Sequence, residues 1–128
     1  MNLLLDTHLL LRAAGEPEKL SKKARRLLLD VDNSLHFSSA SLWEIAIKSA
    51  LGRKDFQVDI RRLWRMLLAN GYRELKVASE HAIALESLPL LHKDPFDRML
   101  LAQAHIEDLT LLTADKQVAA YRGPVKLV

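Results

Sequence analysis

The stretch Asn2-Leu3-Leu4-Leu5-Asp6 decides the fold of this chain. An apolar run without polar alternation is typical of a strand that is buried on both faces, as in the centre of a parallel sheet. Because an ionised carboxylate is costly to bury behind leucines, we expect Asp6 at the carboxyl end of that strand. Ligands of open α/β sheets bind at this end. The next question is which other acids of the chain reach Asp6.

The composition fits one domain that spans residues 1–128 and has its own core, since 49% of the residues are hydrophobic. The chain has no cysteine, which excludes disulfide scaffolds and thiolate metal sites. Its net charge of +3 is compatible with nucleic acid but is also common in other proteins. No apolar stretch is long enough to span a bilayer and no basic segment precedes Leu3, so we expect a cytoplasmic protein without membrane association.

Helix and strand patterns alternate along the rest of the chain. Predicted helices cover residues 7–14, 21–30, 40–51, 60–68, 79–88, 94–107 and 114–120. Predicted strands after the first cover residues 35–37, 74–77, 109–113 and 125–128. Ser21, Asp59 and Ser79 are the expected N-caps of three of the helices. This alternation predicts an α/β fold in which helices cover both faces of a parallel sheet.

Four acids are expected at the same edge of that sheet. Asp6 and Asp115 follow the carboxyl ends of predicted strands, while Glu44 and Asp97 are predicted in the first turns of helices that begin there. Asp94, three residues before Asp97, is a candidate fifth member. Carboxylates crowded together repel and raise one another's pKa, which favours a bound cation. Oxygen ligands without cysteine suit Mg²⁺ or Mn²⁺.

Each acid also has an ordinary structural explanation. Asp6 and Asp115 are in positions typical of helix caps or turn formers. Glu44 can pair with Lys48 at i,i+4, which contributes about 0.2–0.5 kcal/mol on a helix surface. Asp94 can cap its helix, whose first position is a proline. Taken singly, the structural explanation is preferred for each acid, and only their convergence favours a metal site.

Other catalytic motifs are missing from the sequence. The five histidines show no HExxH or H-x₃-H spacing, which argues against a zinc protease. His8 is close to Asp6, but we expect a surface or core role for it rather than contact with a substrate. No GxGxxG or GxxxxGKS loop and no GxSxG elbow is present, so nucleotide cradles and serine hydrolases are not supported.

Four segments, taken in order, resemble the PIN-domain family, and within it the VapC-type toxins of type II toxin–antitoxin pairs. They are LLLDTH at 3–8, SASLWEI at 39–45, DPFDR at 94–98 and LTAD at 112–115. The resemblance implies five parallel strands in the order 3-2-1-4-5 with flanking helices. It also implies an Mg²⁺- or Mn²⁺-dependent ribonuclease. The acidic quartet of the family falls on Asp6, Glu44, Asp97 and Asp115, and its small polar positions near the pocket fall on Ser39 and Thr113.

In the mechanism that this resemblance implies, Asp6, Asp97 and Asp115 hold one or two divalent cations. Glu44 completes the shell or orients the attacking water, and RNA is cleaved by in-line attack. Basic residues near this edge are candidates for phosphate contacts. Lys48 and Arg98 are the favoured two, because they share helices with acids of the site. The others, Arg12 and Lys116, are expected to be solvated surface charges.

The resemblance also implies a homodimer and a small VapB-type antitoxin that occupies the groove. Leu42, Trp43 and Ile47 give modest support for a partner, because they do not obviously all face one core, but a simple buried core is the preferred explanation for each. Two other classes of function stay open. One is a different metal-dependent phosphoesterase, such as a DNA nuclease, and the other is a binding module that does not cleave.

Overall fold

The strands of the computed structural model, which describes residues 1–90 and 93–128, form one parallel sheet. They are β1 (Asn2–Leu5), β2 (Ser34–Ser38), β3 (Arg73–Leu75), β4 (Thr110–Thr113) and β5 (Val125–Leu127). Their order is β3-β2-β1-β4-β5, so the predicted order and the predicted α/β class are confirmed. The apolar run of the N-terminus is the central strand.

Helices connect the strands throughout the described residues. The α-helices are α1 (Thr7–Gly15), α2 (Lys22–Leu29), α3 (Ser39–Ala50), α4 (Ile60–Ala69), α5 (Ser79–Ala84), α6 (Pro95–Ile106) and α7 (Lys116–Ala119). The described residues also contain 3₁₀ helices. Pro17–Lys19 and Lys54–Phe56 lie outside the predicted helices, whereas Leu85–Ser87 continues α5 within the predicted range 79–88. No helix in the described ranges is long and apolar enough to cross a membrane.

Strand β1 is buried on both faces because its side chains alternate between two apolar clusters. Leu3 and Leu5 pack in a cluster with Phe37 and Ile45, whereas Leu4 packs in the opposite cluster with residues of α6 and β4. All three leucines of the strand are fully buried. The continuous apolar run of the sequence is therefore the consequence of helices on both faces of the sheet.

Side-chain caps begin six of the α-helices in the described residues. Asp6 accepts from the Leu9 N–H at 2.9 Å and Asp94 accepts from the Phe96 N–H at 2.8 Å. The other four caps are Ser21 on α2, Ser38 on α3, Asp59 on α4 and Asp115 on α7. Capping is therefore a confirmed role of Asp6, Asp94 and Asp115, and it leaves one carboxylate oxygen of each without a capping bond.

Two local predictions were wrong. Ser79 is the first residue of α5 and not its N-cap; the cap position is Ala78, whose N–H donates to His81 Nδ1 at 2.9 Å. Glu44 lies in the second turn of α3 and not in the first, because it is the sixth residue of a helix that begins at Ser39. Helical side chains point back toward the N-terminus, so Glu44 is still directed toward the edge where α3 begins.

From the packing of the core we expect two Leu→Ala substitutions to have very different effects on the free energy of unfolding. Leu4→Ala removes a fully buried side chain of the central strand, and we expect it to lower the free energy of unfolding by about 2–5 kcal/mol. Leu29→Ala is the matched control, since Leu29 is 80% exposed and its loss should change stability by at most about 0.5 kcal/mol. Urea unfolding of both variants measures the difference, and equal midpoints would contradict this description of the core.

Candidate metal centre

Asp6 leaves the central strand and enters a nearly dry environment, with 5% of the residue exposed. Its Oδ1 accepts from the Leu9 N–H and its Oδ2 accepts from the Thr113 hydroxyl at 2.6 Å. Burial raises the pKa of Asp6, and the hydrogen bonds from Thr113 and Leu9 offset part of that rise. In the described part of the chain, no lysine or arginine forms an ion pair with this carboxylate. Asp6 is thus a buried acid without a lysine or arginine partner, although the nearby His8 lowers its pKa electrostatically.

Thr113 links two acids of the predicted quartet. Its fully buried hydroxyl donates to Asp6 and accepts from the Asp115 N–H at 3.0 Å. Asp115 is exposed, and its Oδ1 accepts from the Gln117 N–H at 2.8 Å. The ends of β1 and β4 therefore bring Asp6 and Asp115 to opposite sides of one threonine hydroxyl.

Glu44 is the second deeply buried acid, with 2% of the residue exposed. Its Oε1 accepts from the Thr7 hydroxyl at 2.6 Å, and Thr7 Oγ1 also lies 3.0 Å from Ser41 Oγ. Because its charge contributes to raising the pKa of Asp6, the two carboxylates interact electrostatically. Thr7 and Ser41 were not predicted as site residues, although Thr7 directly follows Asp6 in the sequence.

Lys48 forms the ion pair with Glu44 that i,i+4 spacing predicts, with Nζ 2.5 Å from Glu44 Oε2. The same ammonium is 3.7 Å from Asp94 Oδ2. It also lies 5.0 Å from the ring centroid of Phe56 and 5.6 Å from that of Phe96. Lys48 is therefore largely enclosed, unlike the solvated surface charge that such a pair usually is.

Asp97 lies in the first turn of α6, as predicted, and is half-buried. Its N–H donates to Asp94 Oδ1 at 3.3 Å, in addition to the shorter capping bond from Phe96. Since α6 runs from this edge of the sheet to the start of β4, its first turn lies on the side where β1 and β4 end. The structure thus places all four acids at one edge.

The predicted acids do not form a closed ligand cage by themselves. In the described part of the chain, no three of them bring ligand atoms within 4.8 Å of one another, whereas Glu80, His81 and Glu107 do. In this second group, His81 Nδ1 accepts from the Ala78 N–H, so Nε2 carries the proton that it shares with Glu107 at 2.8 Å. A cation on Nε2 would require an imidazolate, and the hydrogen-bonded pair accounts for the cluster.

Two side chains predicted as candidates for substrate contact form hydrogen bonds within the protein. Ser39 Oγ accepts from the Val77 N–H at 3.1 Å, which ties the start of α3 to the segment after β3. The Arg98 guanidinium donates to the Pro89 and Leu85 carbonyl oxygens at 3.1 and 3.4 Å. These bonds direct Arg98 toward the chain that precedes α6 and not toward Glu44 or Asp6.

His8 and Trp43 are at the surface near the site. The His8 ring is exposed, lies 3.5 Å from Asp55 Oδ2 and packs edge-on against Phe56, which agrees with the expected surface role. Trp43 is 63% exposed and makes an edge-to-face contact with Phe96 at 5.2 Å. An apolar cavity of about 370 Å³ lies beside this contact and is also lined by Ser39 and Met99.

Known proteins with related sequences and structures agree with this architecture. The chain is 27% identical over 122 residues to ribonuclease VapC22 of Mycobacterium tuberculosis, which covers 94% of this chain and 92% of the relative. The VapBC2 complex of Rickettsia felis, bound to a promoter DNA fragment, contains a chain with a TM-score of 0.73 at 17% identity, covering 99% of this chain and 98% of that one.

Mycobacterium tuberculosis VapC20, described as a toxin that cleaves the sarcin–ricin loop, has a TM-score of 0.60 at 14% identity, covering 93% of this chain and 95% of that one. Structural likeness at such identity establishes the fold. The profile of the PIN domain matches residues 3–124, which is nearly the whole chain. The family predicted from the four segments is therefore confirmed, and this protein belongs to the PIN domain family.

Proposed function

We propose that this protein is a divalent-metal-dependent endoribonuclease that acts as the toxin of a type II toxin–antitoxin pair. The observation that carries the proposal is the buried carboxylate of Asp6, which ends the central strand beside Glu44 and shares the Thr113 hydroxyl with Asp115. The likeness to a relative named ribonuclease VapC22 supports RNA as the substrate. The reaction is hydrolysis of an RNA phosphodiester bond by a water molecule.

The donor set fits Mg²⁺ or Mn²⁺. Carboxylate oxygens are the ligands that these hard cations prefer, and the site offers no thiolate. Burial raises the pKa of Asp6 because its charge is poorly solvated, and a nearby divalent cation would favour the ionised form. Asp6, Asp97 and Asp115 are the proposed metal-holding side chains, with Glu44 as the fourth acid beside them.

A bound divalent cation supplies Lewis acidity, which lowers the pKa of water and balances the charge of the phosphate. The protein's own contribution is orientation. The Thr113 hydroxyl and the Leu9 N–H fix both oxygens of Asp6, and the Gln117 N–H fixes one oxygen of Asp115. Such fixed acceptors lower the reorganisation needed when the reacting groups bind.

We also propose a VapB-type antitoxin as a partner and a homodimer as the resting assembly. The structural neighbours from Rickettsia felis and Salmonella typhimurium are described as VapBC complexes, which supports the first proposal. The second is supported by an exposed apolar stripe along α3 and its C-cap, formed by Trp43, Ile47 and the C-cap residue Leu51 at successive i,i+4 positions. An apolar stripe of this kind is typical of a surface that another chain covers.

Asp6→Asn should abolish metal-dependent RNA cleavage without unfolding the protein. Asparagine still caps α1, but it loses the charge that holds a cation. We expect a loss of activity greater than the roughly 10- to 100-fold cost of losing an outer-shell partner of a metal. The measurement is cleavage of a structured RNA with Mg²⁺ or Mn²⁺, with duplex DNA in parallel.

Asp59→Asn is the matched control, because Asp59 is also an aspartate N-cap but begins α4 and accepts from the Arg62 N–H. It should retain full activity. Full activity of purified Asp6→Asn protein, or full activity of the wild type in excess EDTA, would refute the proposal. Cleavage of duplex DNA in preference to RNA would favour the DNA-nuclease alternative.

The buried charge of Asp6 also predicts how stability depends on pH in the absence of metal. Because the pKa of Asp6 is higher in the folded protein than its ordinary value of 3.8, the folded state binds more protons between these two values. The contribution of this group is therefore largest below the unfolded pKa and is lost as pH rises through the folded pKa. Asparagine does not titrate, so Asp6→Asn should remove this loss.

Urea unfolding in EDTA tests this expectation. Asp6→Asn should have a higher midpoint than the wild type near neutral pH, and the difference should shrink toward about pH 4. Adding Mn²⁺ at neutral pH should raise the midpoint of the wild type more than that of the variant. A midpoint difference that stays constant across this pH range would contradict a charge effect at Asp6.

The proposed dimer predicts a light-scattering mass of twice the 14.5 kDa chain. Two charges on the α3 stripe, Ile47→Glu with Leu51→Glu, should convert it to a monomer because apolar contact is replaced by repulsion. Leu29→Glu, at another exposed leucine, is the control and should leave the mass unchanged. A wild-type protein with the mass of a single chain would refute the homodimer.

A further inference from the structure

Lys48 is enclosed by four groups from three parts of the fold. Its ammonium is paired with Glu44 on the same helix and lies 3.7 Å from Asp94, the N-cap of α6. Phe56 of the 3₁₀ helix after α3 and Phe96 of α6 present their rings at 5.0 and 5.6 Å. The side chain is only 17% exposed. Two carboxylates and two aromatic faces therefore hold one cation in a fixed position.

Glu44 has a hydrogen-bond donor on each of its carboxylate oxygens. The Thr7 hydroxyl donates to Oε1 at 2.6 Å, and the Lys48 ammonium donates to Oε2. A metal ion that bound Glu44 directly would have to displace or share one of these donors in a site that is 2% exposed. Breaking a buried ion pair is costly because it leaves an unpaired charge.

Asp6 differs from Glu44 in this respect. Its oxygens accept from an amide and a hydroxyl, both neutral, and the part of the chain that the structure describes gives it no lysine or arginine partner. The edge of the sheet therefore contains one buried acid with a cationic partner and one without. Asp6 is influenced only electrostatically by the nearby His8, which lowers its pKa, and forms no ion pair with a lysine or arginine in the described residues.

From this difference we infer that Lys48 is a built-in cation of the site. It permanently neutralises Glu44 and Asp94, so that these two carboxylates are not metal ligands and a single divalent cation binds on the side of Asp6. Lys48 is a positioning residue in this role, since it acts through Glu44 and not on the substrate. The inference rests on the proposed function, because it presupposes that a divalent cation binds at this edge.

Mn²⁺ binding to the purified protein, measured by calorimetry, tests the inference without any assay of cleavage. The wild type should bind one Mn²⁺ per chain. Glu44→Gln should bind Mn²⁺ with an affinity within about threefold of the wild type, whereas Asp6→Asn should lose at least about tenfold. An equal loss in Glu44→Gln and Asp6→Asn would identify Glu44 as a direct ligand and overturn the inference.

Lys48→Met removes the charge but keeps an unbranched apolar side chain between the two rings. It leaves Glu44 and Asp94 without a cation, so we expect this variant to bind a second Mn²⁺ and to gain more thermal stability from Mn²⁺ than the wild type does. The double variant Glu44→Gln with Lys48→Met should return to one Mn²⁺, because the buried acid is removed together with its partner. It also keeps the test decisive if Lys48→Met alone does not fold.

Two further variants serve as controls. Lys48→Arg keeps the charge and should bind one Mn²⁺, and Lys22→Met removes an exposed lysine at the start of α2 and should also bind one. A single Mn²⁺ in folded Lys48→Met, or two in the wild type, would overturn the inference while leaving the proposed metal centre intact. A wild type that binds no Mn²⁺ would refute both the inference and the proposed function.

Discussion

The buried carboxylate of Asp6 is the constraint on which the rest of this site depends. It follows a strand whose leucines are fully buried, so its charge must be satisfied by groups that the fold itself supplies. One donor is the N–H of Leu9 in the helix that Asp6 caps, and the other is the hydroxyl of Thr113 on β4. The Asp6 N–H also donates to the Leu112 carbonyl oxygen at 3.0 Å. The acid, the start of α1 and the pairing of β1 with β4 are therefore one structural unit.

The parallel sheet brings other acids to the same edge as Asp6. All its strands end at the same edge, so the acids that follow β1 and β4 meet although they are far apart in sequence. Helix α3 begins where β2 ends, and α6 must begin at this edge to reach the start of β4. Glu44 and Asp97 are brought to the edge by those two connections. The convergence of charge follows from the topology, and repulsion between the acids is its physical cost.

Much of this arrangement was predictable because it depends on local patterns and on chain order. The burial of Leu4, the caps at Asp59 and Asp94 and the positions of the acids in sequence indicated the elements and their common edge. The strand order came from the resemblance to PIN domains. The direction of Arg98 was not predictable in this way: it is one residue after Asp97, but each helical residue turns by about 100°. Its guanidinium consequently reaches the Pro89 carbonyl oxygen.

The burial of the Glu44–Lys48 pair was not predictable from the sequence either, because the groups that enclose the pair come from distant segments. An i,i+4 pair looks the same in sequence whether it is solvated or covered, and only Phe56 and Phe96 decide which. Burial changes the physical role of this ion pair. A solvated pair contributes little, whereas an enclosed ammonium sets the charge of its surroundings. If every acid at this edge had a cationic partner, no unbalanced negative charge would be left to attract a metal ion. If none of them had one, the acids would repel one another and destabilise the fold. Neutralising Glu44 permanently while leaving Asp6 without a lysine or arginine partner reconciles a stable fold with an edge that still attracts a cation.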